Sequence, residues 1–202
     1  MKRICVFLCC CLLLFSVCAC TGASSQKMYI EPARLTEEEK RIAELLGLNQ
    51  AYRIYDFHVD ETVKAMRVNA YEWIDGEWKI MMGGGGRAFS DSEGRLALGC
   101  ENIADELRIA VQSEHENSAV SYSSEAAEDT AGLGHTSSSF SGKEEIGYER
   151  EIPLLIQIVT SKNEVRSYST DYFFQPEEYE KYGYEHVYAV TVLFSQKPLH
   201  EQ

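Results

Sequence analysis

The spacing of apolar residues changes character along the chain. Residues 4–17 are almost all apolar, a run shorter than the ~20 residues a helix needs to cross a bilayer. Residues 21–31 turn small and polar, with Gly22, Ser24 and Ser25, as in a flexible spacer. From Leu35 to Gly47 the spacing is helical. Thr36 stands at an N-cap position, Glu39 completes a capping box three residues later, and Gly47 supplies the stop. Ile42, Leu45 and Leu46 share one face, so this helix is expected to lie on the domain as a short lid.

From Tyr52 the period becomes that of a strand. Tyr55, Phe57 and Val59 point one way, with Ile54, Asp56 and His58 the other. A longer strand over 64–74 meets Asp75-Gly76, the dipeptide of a type I′ hairpin, which sets Trp73 opposite Trp78, Glu72 opposite Lys79 and Tyr71 opposite Ile80. The face carrying both tryptophans, with Tyr71, Ile80 and Met82, is expected to turn into the core, because Glu72, Glu77 and Lys79 suit water better. Gly83 to Gly86 reads as a turn or bulged strand end, and Asp91 to Gly94 as a turn. Short strands follow over 95–99 and 106–112.

Residues 113–147 then lose periodicity and fill with serine, glycine and acids, the composition of a flexible or disordered insertion. Past it, 152–160 is apolar on both faces and 185–194 is dense in Val, Tyr and Leu, as in central strands. Between them 165–174 reads as a strand, and Pro176-Glu177-Glu178 as a short helical turn that Gly183 ends. Strands at this spacing predict a mainly β protein, an antiparallel β-sandwich with Greek-key connections as one option. An α+β single antiparallel sheet backed by the two helices is the alternative. The pattern divides the chain into a leader over 1–19, a tether over 20–34 and a single β-rich domain over 35–202 that includes the insertion.

The chain's beginning adds an address. Lys2 and Arg3 precede the apolar run, and Val17-Cys18-Ala19-Cys20 closes it with a small residue before a cysteine. This resembles the signal peptide and lipobox of bacterial lipoproteins, with Val17 three before the cysteine and Ala19 one before. Cys18 stands where that family carries Ala, Ser or Thr. The resemblance implies cleavage after Ala19, a diacylglycerol on the Cys20 thiol and further acyl chains such as palmitate. It also implies anchorage at the extracytoplasmic face of the cell membrane. Two or three acyl chains hold a protein lastingly where one does not.

Charge and cysteine usage narrow the partners. The formal charge is −13, and −15 once Lys2 and Arg3 leave with the leader, so nucleic acid and anionic surfaces are disfavoured and cationic partners favoured. Six of the seven cysteines lie at or before Cys20, which leaves Cys100 without an internal partner and the fold dependent on its core. His58, His115, His135, His186 and His200 are scattered without metal-ligand spacing, and no Gly-x-Ser-x-Gly elbow or phosphate loop occurs, so no catalytic residue, metal ligand or cofactor is assigned. The reading is therefore a non-catalytic, membrane-anchored module that binds a partner protein, peptide or small ligand. A cell-envelope hydrolase acting on peptide or glycan is the alternative.

Overall fold

The computed structural model describes residues 27–48, 51–88, 90–123, 130–166 and 168–198. Two antiparallel sheets face each other. The six-stranded sheet has the order β7-β6-β5-β2-β1-β9, from Asn117–Ser123 (β7), Glu106–Ser113 (β6), Glu93–Gly99 (β5), Tyr52–His58 (β2), Tyr29–Pro32 (β1) and Glu144–Glu145 (β9). The five-stranded sheet has the order β4-β3-β11-β10-β8, from Glu77–Ala88 (β4), Ala65–Ile74 (β3), His186–Ser195 (β11), Ile152–Thr160 (β10) and Gly134–Ser139 (β8). This is the expected mainly β architecture with two packed sheets.

The alternation read from β2 decides which residues fill the space between them. Tyr55, Phe57 and Val59 are buried there with Leu96, Leu98, Leu107, Ile109, Val190, Val192 and Phe194, while Ile54, Asp56 and His58 are half-buried on the opposite face. Polar ties lace the two sheets. The Tyr55 hydroxyl donates to the Leu154 carbonyl at 2.9 Å, Arg53 Nε to Ser139 Oγ at 2.5 Å, and Arg87 Nη2 to Glu116 Oε2 at 2.7 Å. Gln157 is buried and spends its amide on loop backbone: it accepts from Ile103 N–H and donates to the Glu101 carbonyl, both at 2.8 Å. Cys100 is a buried member of this core, as expected.

The hairpin forms in the predicted register, with Asp75 and Gly76 at φ +55° and +82°, Trp73 paired to Trp78 and Glu72 to Lys79. Its facing is a correction. Tyr71, Trp73 and Trp78 lie on the outer side of the five-stranded sheet, away from the inter-sheet core. A register shift between Ala70 and Tyr71 turns Met82 inward, and Ile80 is left exposed. The tryptophans are still covered, because the connection from β10 to β11 folds over them. That connection is not the strand expected over 165–174: it holds a 3-10 helix, Thr170–Phe174, and a short helix α2, Glu177–Glu180, the latter as expected. Phe173 and Tyr179 pack on Trp78, at ring-centroid distances of 5.1 and 6.4 Å. β10 is consequently buried along its whole length.

Other expectations also change. The described residues of 113–147 are not an unstructured insertion, since β7, β8 and β9 lie among them and Ile146 is buried. Their strands are held by backbone pairing at sheet edges, which polar residues perform as well as apolar ones. The tether shortens, because Tyr29–Pro32 is a strand that buries Ile30 between β2 and β9. Gly83 to Gly86 lies inside β4, where the register slips opposite Arg67 and Asn69, so the glycines are a bulged strand rather than its end. Helix α1, Glu37–Leu45, forms its full capping box but buries no residue.

Candidate functional site

A large cavity lies at one end of the six-stranded sheet, where α1 overhangs the strands. It is an open groove of about 1140 Å³ lined by Glu39 of α1, Asp56 of β2, Asp60 and Glu61 after it, Asp91 and Glu93 at the start of β5, and Glu114 after β6. Against these seven carboxylates stand Arg95 and Lys64. Arg95 is already committed, donating to Glu39 Oε1 at 2.5 Å and Asp56 Oδ1 at 2.9 Å, and Lys64 Nζ caps the Glu61 carbonyl at 2.6 Å. Among the described ion pairs no Lys or Arg meets Asp60, Glu61, Asp91, Glu93 or Glu114.

Local chemistry keeps three of these acids, Glu39, Asp60 and Asp91, charged. Hydrogen bonds from Ser113 and then His115 bring the Asp91 carboxyl down to about 2, and bonds from Thr62 hold Asp60 below its usual value. Glu39 also falls to about 2, first through the Thr36 backbone N–H of its capping box and then through Arg95. The sequence places Glu39 there twice over: the capping box fixes its carboxylate at the helix start, and the free oxygen reaches the sheet. A rim contact completes the groove, His115 Nδ1 against Asp91 Oδ1 at 2.7 Å, with the His115 backbone N–H on the other oxygen at 3.0 Å.

Past the Arg95–Glu39 bridge the groove changes character. A second hollow of about 580 Å³ runs between α1 and the outer face of the sheet, with Leu35, Ala43, Ile54, Ala97, Ala110 and Ala119 in its walls. Glu39, Arg95 and Gln112 line both hollows, so the two form one surface with an acidic and an apolar end. α1 is a loose wall: Ile42, Leu45 and Leu46 are 52, 85 and 63 % exposed, so the expected lid does not close.

Among the described residues the histidines stand apart from one another. His58 meets Glu93 at 3.1 Å, His115 meets Asp91, His186 meets Glu72 at 2.8 Å, and His135 lies in β8. His200 and Cys20, the expected lipidation site, lie outside the described residues. Among the described residues no three His, Cys, Asp or Glu groups converge on a position that could hold a metal ion, and no helix is long and apolar enough to cross a membrane. The acidic balance of the groove follows from composition, but the bridge that divides it was hidden: Asp56 and Arg95 are cross-strand partners only in the observed β2–β5 register. No protein-family model matches the chain, and neither a curated protein nor a solved structure matches it.

Proposed function

We propose that this chain is a lipid-anchored extracytoplasmic binding module whose acidic groove receives a basic segment of a partner protein or peptide. The observation that carries the reading is the groove itself, where Asp60, Glu61, Asp91, Glu93 and Glu114 meet no Lys or Arg among the described ion pairs and Asp60 and Asp91 are held ionised. Such a surface attracts cations over about a Debye length, roughly 8 Å at physiological salt, and a chain of net charge −13 extends the same sign around it. The lipid on Cys20 anchors the module to the membrane. The nine residue-to-residue steps from Cys20 to Tyr29 span at most ~30 Å, so the first strand stays close to the bilayer.

The hydrolase reading draws less support from the same geometry. A glycosidase acid must hold its proton near neutral pH, so its pKa is raised. In the groove every carboxylate with a resolved shift moves down, which suits a fixed negative field rather than proton donation.

The test is crosslinking in the native membrane with the full chain and a Glu61→Gln/Glu93→Gln/Glu114→Gln variant. A basic partner captured by the wild type and lost with the variant supports the reading, and equal capture by both removes the groove from it. A Cys20→Ala chain should lose metabolic labelling with an alkyne-tagged fatty acid; retained labelling contradicts the anchor.

A further inference from the structure

β7 is the outer edge of the six-stranded sheet, and among the described residues it pairs with β6 alone. Every second residue of an antiparallel edge turns its N–H and C=O outward, ready to pair with another chain. Soluble proteins guard such edges with lysine, proline, bulges or brevity. Two of the other edges follow that rule, β9 with two residues and β4 with Lys79 and two register shifts; the fourth, β8, also lacks lysine, proline and any register shift against β10, but its Gly-His-Thr-Ser-Ser-Ser offers an added strand no apolar side chain. β7 carries no guard. Its seven residues, Asn-Ser-Ala-Val-Ser-Tyr-Ser, include no charge and no proline, stay in unbroken register with β6, and are exposed except for half-buried Tyr122.

Both faces of the sheet stop unfinished at this edge. On the core side Val120 lies beside Ile109 and Tyr122 beside Leu107; Val120 is 44 % exposed although its neighbour is buried. On the outer side Ala119 lies beside Ala110, and both line the apolar hollow under α1. A strand laid against β7 would continue both rows, its residues alternately meeting Val120 and Tyr122 and entering the hollow. A second copy of this chain is a poor occupant. Pairing β7 with itself would bring together two molecules of charge −13, with Glu106, Glu114 and Glu116 at the strand ends.

We propose that the β7 edge accepts an extended segment of a partner protein as a seventh strand, one with apolar residues at alternate positions. This rests on the binding-module reading but not on the acidic groove being its contact.

The full chain in detergent micelles, panned against a displayed library of random dodecapeptides, provides the test. Recovered sequences should carry apolar residues at alternate positions without central proline. The synthesised peptides should slow amide exchange across 117–123 at least tenfold. Val120→Lys and, on the other face, Ala119→Lys should each weaken them at least tenfold without shifting the melting temperature, while hexalysine, which reports on the acidic groove, binds both variants as it binds the wild type. The proposal is overturned if no peptide is recovered, if protection falls elsewhere, or if both variants bind unchanged. It is also overturned if the chain sediments as a dimer that Val120→Lys dissociates, which makes a second copy the occupant. Edge protection that persists when hexalysine fails to bind removes the acidic-groove reading and leaves this one standing.

Discussion

Trp78 stacks on Phe173 with its ring 5.1 Å away and the planes 22° apart, and its indole N–H donates to the Phe173 carbonyl at 2.9 Å. Trp73 meets it edge-on at 5.3 Å. Because these contacts fasten the β10–β11 connection to the sheet, Trp78→Ala should cost about 3 kcal/mol by chemical denaturation. Trp78→Phe keeps the stack and forfeits the hydrogen bond, for a loss of about 1 kcal/mol. Equal stability of all three proteins would mean that the connection is held elsewhere. The pairing of the tryptophans was legible because two residues, Asp75 and Gly76, determine a type I′ register. Their facing was not, because it depends on a covering segment whose Val165, Tyr168 and Tyr172 read as strand. His115 supplies a second residue-scale test. Its pKa is raised, chiefly by its bond to Asp91 with Glu114 and Glu116 adding to the field. A group raised in the folded state contributes fully below its unfolded value and less as pH climbs through the folded one. The clasp on the groove rim should therefore tighten below about pH 6.5 and relax above the raised value. An NMR titration should place His115 above its ordinary value and Asp91→Asn should return it; an unmoved midpoint contradicts the contact.

Helix α1 and the strand edges show what sequence patterns say about elements. Thr36 and Glu39 announced the helix start, and the capping box is complete. Its apolar residues announced a packed face that does not exist, since a 3.6-residue period reports where a helix is amphipathic and not what it meets. A nine-residue helix is marginal by itself, and Arg95 ties it to the sheet through Glu39. Arg95→Met should raise amide exchange over 37–45 toward unprotected rates and shift the melting temperature by only a few degrees; unchanged protection would mean the helix packs more firmly than its exposure indicates. Gly94 is the opposite case, a position with no freedom. A Cβ there would sit 2.6 Å from the Phe57 ring and 2.7 Å from the Gln112 carbonyl oxygen. Because backbone cannot step aside, Gly94→Ala should cost about 1–3 kcal/mol in thermal or denaturant melts, and a neutral result would show that β5 and β6 can separate. The strands within 113–147 were illegible for a related reason: edge strands such as Gly134–Ser139 are defined by backbone pairs with β10 and leave no apolar signature.

At the scale of the whole molecule, charge was readable and its arrangement was not. A composition of 32 acids against 19 bases gives the sign of the field. Only the fold gathers Asp60, Glu61, Asp91, Glu93 and Glu114 from separate loops into one groove, and only the β2–β5 register places Arg95 as the divider between its acidic and apolar ends. The lipobox reading and the groove describe complementary parts of one proposal, a tether at Cys20 and a charged receptor surface on the domain it holds. The measurement that bears most directly on that surface is a calorimetric titration of the full chain with hexalysine at low and high salt, repeated on Glu61→Gln/Glu93→Gln/Glu114→Gln. The groove predicts saturable binding that weakens steeply as salt rises, and a loss of at least tenfold in the variant at low salt. Binding that is absent, or that the variant retains in full, would contradict it.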